Sequence, residues 1–218
     1  MLKRLHVYHD TEPRSAAMNM AIDEALLGLA PVPSLRFYRW RRPSISFGYF
    51  GAYSDVGAEQ TGRELVRRWT GGGIVFHGDD LTYSLVLPVD DAAAFHSSRA
   101  VYAEIHTAVQ WALGTECGAT LVASAAPKIS DACFANPVAA DVIANGRKIA
   151  GAAQRRTRAG LLHQGSILYD ALPPHFADAF AAQLCERLEK RSFTPELLAR
   201  AQEIAAERYA TEAWLRRR

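Results

Sequence analysis

Apolar and polar residues alternate along this chain in two rhythms. Met18, Ile22, Ala25 and Leu29 recur at helical spacing behind Ser15, which can cap the first turn, and Pro31 ends the run. This predicts a helix over 15–29 with that face toward the core. The stretches 35–40 and 44–50 are instead dense in aromatic and β-branched residues and are joined by Arg41-Arg42-Pro43. They read as two strands and a turn. Further strands are expected at 65–69, 73–77 and 81–87, the middle one opening on consecutive glycines. Helical spacing returns with Val101, Ile105, Ala108 and Ala112 and is ended by Gly114 to Gly118. Asn145-Gly146 is the strongest short hairpin signal, and 138–149 folds around it. Segments 149–154 and 165–169 complete a sheet. Beyond Asp170, Pro173-Pro174 opens a helical stripe of Phe176, Phe180, Leu184 and Leu188, and Thr194-Pro195-Glu196 caps a last helix.

Helix, strands, helix, strands and two helices in that order fit an α+β fold better than a regular βαβ alternation. One domain over 1–218 is expected: a mixed, mostly antiparallel sheet, with helices gathered on one side and C-terminal helices from about 173. Apolar residues at 49% and charged residues at 22% are ordinary for a globular chain and exclude disorder as the main state. A net charge of +2 is too small for a protein whose task is to coat DNA or RNA. The arginines are nonetheless grouped, at 39–42, 67–68 and 147–158. Met1 to His6 holds no apolar run suited to a signal peptide, and no stretch suits a membrane span, so a cytoplasmic protein is expected. Cys117, Cys133 and Cys185 are far apart, which argues against a disulfide framework or a zinc knuckle. No set of ligands has the count that a metal needs, and neither a Walker A loop nor a G-x-G-x-x-G fingerprint is present.

Two stretches carry candidate chemistry. In Arg67-Arg68-Trp69-Thr70-Gly71-Gly72-Gly73-Ile74-Val75-Phe76-His77, the glycines give a sheet nothing to pack. Either they make a tight hairpin or bulge, or their N–H groups form an anion-binding nest edged by arginine. In 141–154, Lys148 follows the hairpin turn and precedes Ile149-Ala150-Gly151-Ala152-Ala153. It is either a strand-edge lysine or a desolvated one, able to act as a base or to clamp an acyl carbonyl.

Three motifs in order, Arg-Arg-x-Thr-Gly-Gly-Gly-x-Val-x-His at 67–77, Gly-Arg-Lys-Ile-Ala-Gly-x-Ala-Gln at 146–154 and Leu-His-Gln-Gly-Ser-Ile at 162–167, resemble the lipoate-protein ligase and octanoyltransferase family, related to biotin-protein ligase catalytic domains. The likeness extends to Asn19–Ala25 and to Ser46–Phe50 and covers about residues 10–185. It implies a cleft for a medium-chain acyl group that is attached to one lysine of a lipoyl carrier domain. By that likeness Arg68, Gly71, Gly72, Gly73, His77, Gly151, Ala153 and His163 line the substrate site, and Lys148 is its central polar residue. Ligases of this family activate lipoate with ATP and magnesium; transferases take octanoyl from acyl carrier protein through a cysteine thioester. Cys133-Phe134, about a dozen residues before the lysine motif, resembles the Cys-Phe loop of one transferase branch, and the resemblance gives Cys133 the acyl-acceptor role without a cofactor. The other branch carries its cysteine where this chain reads Gly160-Leu161-Leu162-His163. Many relatives have aspartate directly after the histidine; here Gly78 stands there, and Asp79 or Asp80 can substitute. No accessory C-terminal domain of the larger ligases fits after about residue 190. The implied partners are acyl carrier protein and lipoyl domains of 2-oxoacid dehydrogenase complexes or glycine-cleavage H-protein-like carriers. Two other readings stand beside these: a non-catalytic acyl or carrier-domain binder, and, from Arg155-Arg156-Thr157-Arg158, a nucleic-acid binder.

Overall fold

The computed structural model describes residues 2–95, 97–124 and 137–217, with backbone alone at 57–60. In chain order the elements are β1 (Leu5–His9), α1 (Ala16–Leu29), β2 (Ser34–Tyr38), β3 (Ser44–Phe47), β4 (Glu64–Arg67), β5 (Val75–His77), β6 (Leu81–Pro88) and α2 (Val89–Ala93). There follow α3 (Ser98–Leu113), β7 (Thr120–Leu121), β8 (Val142–Ala144), β9 (Arg147–Thr157), β10 (Gly160–Ile167), α4 (Phe176–Leu184), β11 (Leu188–Lys190), α5 (Pro195–Ile204) and α6 (Glu212–Leu215). An eight-stranded sheet runs β11-β1-β2-β6-β10-β9-β8-β7, and a three-stranded sheet runs β4-β3-β5. Among the described strands, β11-β1, β1-β2 and β3-β4 pair in parallel and the others antiparallel. The expected mixed, mostly antiparallel α+β domain is therefore present.

Side chains along β6 alternate between two cores, as the period of a strand requires. Tyr83, Leu85 and Leu87 pack with α3 and α4, while Val86 packs with α1 and α5. Helices thus cover both faces of the large sheet rather than one side: its central strands are buried on both faces, one apolar and the other carrying buried polar side chains such as Arg36, Ser84 and Gln164.

The cap at Ser15 holds, its hydroxyl accepting from Met18 N–H. The buried face of α1 is only partly the one expected. Ile22 and Ala25 are buried, but Met18 is half-buried and Leu29 is 53% exposed, whereas Asn19 and Asp23 are wholly buried. Periodicity of apolar residues misses this because α1 is packed between the sheet and α5 and buries polar groups that have partners of their own. β2 and β3 do not pair across the Arg-Arg-Pro turn but belong to different sheets, and Leu188 lies in a strand rather than on the α4 stripe. Nor is the glycine run a hairpin: β4 and β5 flank β3 on opposite sides, so 68–74 must cross over the end of β3.

The Asn145-Gly146 turn joins β8 to β9 with φ of 50° and 73° at its two centre residues, the left-handed pair of a type I′ hairpin. A bulge beside Val142 and Ile143 then shifts the register.

Candidate functional site

A groove opens where the three-stranded sheet leans on the large sheet and α1. It is narrow: about 30 Å³ is open to the centre of a water-sized sphere, and the space between its walls out to solvent is about 420 Å³. Met20, Tyr38, Trp40 and Val75 form apolar walls; Ser46, Arg68, His77, Thr82, Gln164 and Ser166 supply polar groups; Gly151, Ala152, Ala153 and Gly165 complete the lining.

Arg68 shapes the glycine loop. Its guanidinium donates to the carbonyls of Gly71 and Gly73 at 3.0 and 2.8 Å and to Ser46 Oγ at 2.6 Å. The loop carbonyls are thereby turned toward the arginine. Among the described residues no hydrogen bond from the N–H groups of Gly71, Gly72 or Gly73 is found. Gly48 explains the tight fit of this crossing, since a Cβ there would stand 2.1 Å from the Gly72 carbonyl oxygen. Below the loop, Thr70 Oγ1 donates to Gln164 Oε1, and Gln164 Nε2 donates to Asp23 Oδ2, both within 2.8 Å. Asp23 is itself paired with the buried Arg36 at 2.9 Å. A polar chain thus runs from α1 to the glycine loop.

His77 stacks on Trp40 with ring centroids 4.0 Å apart. Its Nδ1 lies 2.8 Å from Asp80 Oδ2, and its Nε2 lies 2.6 Å from Ser46 Oγ. Asp80, and not the exposed Asp79, is therefore the carboxylate that pairs with His77. Burial lowers the His77 pKa more than the neighbouring carboxylate raises it, so the ring is neutral at pH 7, with Nδ1–H donating to Asp80. Burial alone would raise the Asp80 carboxyl, but His77 and hydrogen bonds from Ser166 and the Gly78 N–H hold it down at about 2.

Lys148 lies just beyond the groove floor. Its Nζ is 2.7 Å from Asp141 Oδ2, and both side chains are almost fully buried. The lysine lies across Gly151, where a Cβ would meet its Cε at 2.4 Å and its Nζ at 2.6 Å. Tyr102 bonds through its hydroxyl to Asp141 and accepts from Ala152 N–H at 3.0 Å. Burial first, and the Asp141 charge second, push the Tyr102 phenol up, so it stays a donor. The desolvated lysine expected from the sequence is found, together with a carboxylate partner that sequence reasoning missed. The signal was available: a two-residue turn at 145–146 folds Asp141 back toward 150–151.

The groove thus brings together Arg68, His77, Gly151 and Ala153; Gly71, Gly72 and Gly73 do not line it but are tied to it through Arg68, and Lys148 lies outside the lining, against Gly151. His163 is not among them. It points to the α3 side of the sheet, with Nε2 3.1 Å from the Tyr83 hydroxyl and Nδ1 2.9 Å from Gln154 Nε2. The strand period turns it away while its neighbour Gln164 faces the groove. Cys133 lies outside the described residues. Arg155 and Arg156 are not a free basic face: Arg155 sits over the Tyr49 and Trp69 rings and donates to Trp69 O, and Arg156 donates to Ala92 O. Among the described residues no group of acidic, histidine or cysteine side chains could hold a metal ion, and no helix is long and apolar enough to cross a membrane.

Comparison with known proteins bears on this geometry. The family described as Lipoyl protein ligase A/B catalytic domain matches residues 15–207. The octanoyltransferase LipM of Oceanobacillus iheyensis is 38% identical over 199 residues, 84% of this chain and 72% of that protein. LipM of Brevibacillus brevis is 31% identical over 272 residues, covering 97% of this chain and 98% of that protein. Among solved structures, a lipoate-protein ligase A bound with ATP has a TM-score of 0.75 at 22% identity over 99% of this chain and 98% of its own. The bipartite lipoate protein ligase of Thermoplasma acidophilum, described with its E2 lipoyl domain, has a TM-score of 0.71 at 22% identity, covering 98% of this chain and 96% of that one. At those identities the structures share the fold.

Proposed function

Because the chain belongs to the lipoyl protein ligase A/B catalytic domain family, we propose that it is an octanoyltransferase that places octanoyl on a lysine of lipoyl carrier domains. The observation that carries this reading is the groove itself, a largely apolar slot whose lining residue Gly151 has the buried Lys148–Asp141 pair packed against it. The alkyl chain packs against Met20, Tyr38, Trp40 and Val75. The carbonyl lies near Gly151, where the Lys148 ammonium polarises it, beside the glycine-loop N–H groups and His77. An ion pair suits Lys148 to clamping the carbonyl, with Asp141 holding it in place, more than to serving as a free base.

Cys133 accepts the acyl group in this reading. Its thiolate attacks the carbonyl of octanoyl-acyl carrier protein, the carrier leaves as its thiolate, and a thioester forms on the enzyme. The neutral amine of the lipoyl-domain lysine then attacks, an amide forms, the Cys133 thiolate leaves, and the proton that the amine gives up passes to the released carrier thiolate or to water. The thioester bond already carries the activation, so no ATP enters. Acyl carrier protein as donor and a lipoyl domain as acceptor place the reaction in the cytoplasm.

The test is transfer from octanoyl-acyl carrier protein to an apo lipoyl domain, followed by the mass of the acceptor. Transfer without nucleotide, lost in Cys133→Ala and Lys148→Ala, is the expected result. Acceptor modified only when lipoate, ATP and magnesium are supplied, with Cys133→Ala still active, would identify a ligase instead.

A further inference from the structure

Ser46 lies on β3 at the inner end of the groove, and the acyl-transfer reading gives it no task. Its surroundings are those of an activated alcohol. Ser46 Oγ is 2.6 Å from His77 Nε2, and His77 Nδ1 is 2.8 Å from Asp80 Oδ2. This hydrogen-bond order leaves Nε2 free to take the hydroxyl proton, the arrangement by which serine is made nucleophilic on many unrelated folds.

Each member is held by further contacts. Trp40 stacks on the imidazole, and its Nε1 donates to Thr82 Oγ1 at 2.7 Å. Thr82 in turn donates to Asp80 at 2.9 Å, and Ser166 does so at 2.7 Å. The Arg68 guanidinium, 2.6 Å from Ser46 Oγ, sets positive charge beside the place where an oxyanion would form. A network needed only to join the two sheets would not require an imidazole poised between a buried alcohol and a carboxylate on the wall of a groove.

We propose that Ser46 is a second acyl acceptor in this groove, giving the protein an esterase activity toward activated medium-chain acyl esters. Ser46 Oγ adds to the acyl carbonyl while its proton passes to His77 Nε2. The bond to the leaving alcohol or thiol breaks, and that group takes the proton from His77, leaving an oxygen ester on Ser46. Water then attacks with His77 as base, which releases the fatty acid and restores the serine. The apolar walls select an alkyl acyl group over a charged one. The inference does not depend on Cys133 and stands or falls separately from it.

The test uses the full chain with the 4-nitrophenyl ester of an octylphosphonate, whose serine adduct is stable, followed by peptide mapping. The expected adduct is on Ser46, and its rate of formation falls about 100-fold or more in His77→Gln and in Asp80→Asn, the scale of a lost general base. Hydrolysis of 4-nitrophenyl octanoate falls in parallel in Ser46→Ala. Wild-type protein that takes no adduct, or takes it on a cysteine or lysine, overturns the proposal even if every variant fails to fold. Transfer of octanoyl by that same preparation would show that the acyl-transfer reading survives.

Discussion

Gly151 and Gly165 sit in adjacent strands, Gly151 opposite Ser166 and Gly165 opposite Ala152, and each lacks a side chain for a different reason. A Cβ on Gly151 would meet the outer end of the flexible Lys148 side chain; a Cβ on Gly165 would stand 2.2–2.4 Å from the ring and hydroxyl of the buried Tyr83. Gly151→Ala is therefore expected to cost about 1–3 kcal/mol, the range for overpacking, because it pushes the buried ammonium away from Asp141. Octanoyl transfer should fall by about 100-fold, the scale of a misplacement near 1 Å. Gly165→Ala should cost about 1–3 kcal/mol by urea denaturation, the range for overpacking a core. The run Ala150-Gly151-Ala152-Ala153 shows in the sequence that something needs room there, which the likeness assigns to substrate. Part of that room is taken by the chain's own lysine, and no spacing rule states this. Asp80 is similar: the sequence offers Asp79 and Asp80 equally, and only the geometry of His77 chooses between them.

At the scale of elements, the β8–β9 hairpin is the unit that assembles the polar end of the groove. Asp141 holds Lys148, Tyr102 and the Val138 N–H at once. Asp141→Asn is expected to destabilise the protein by about 3–5 kcal/mol, because it leaves a buried ammonium without its counter-charge. Adding Lys148→Met should return much of that stability while transfer stays abolished; urea midpoints and the transfer assay read the two effects separately. The hairpin was legible from Asn145-Gly146, and so were α3, from its apolar spacing, and α5, from Thr194-Pro195. The bulge at Val142 and Ile143 was not, since its cause is the packing of neighbouring strands rather than a residue type. The same limit hid the small sheet. Local signals give strands at 44–47 and 75–77 but do not show that they pair with each other, across the glycine crossing, and not with the neighbouring β2.

At the scale of the molecule, four imidazoles are buried among the described residues, and burial lowers the pKa of each. His106 falls to about 4, His163 lies well below 6.5, and His77 and His6 are lowered as well. His106 donates from Nδ1 to the Ala140 carbonyl at 2.6 Å, and its Nε2 has no partner among the described residues. Between pH 6.5 and 4 the unfolded chain therefore binds more protons than the folded one, and stability is lost as pH falls through that window. Asp80, held at about 2 against an ordinary 3.8, adds a further loss below pH 4. From pH 7 to 5, His106 alone accounts for about 2 kcal/mol, which corresponds to a drop of roughly 4–8 °C in Tm. A Tm unchanged between those pH values would contradict the neutral, buried assignment. The whole-molecule likeness was the most legible feature of the sequence, carried by three ordered motifs; the covering of both sheet faces and the removal of His163 from the groove needed the fold. The central claim, that octanoyl rests on Cys133 before it reaches a lipoyl domain, is tested most directly by intact-protein mass spectrometry after incubation with octanoyl-acyl carrier protein alone. The account predicts one added octanoyl group, labile to neutral hydroxylamine and absent in Cys133→Ala. An unmodified protein that still modifies a lipoyl domain when given lipoate, ATP and magnesium would contradict it.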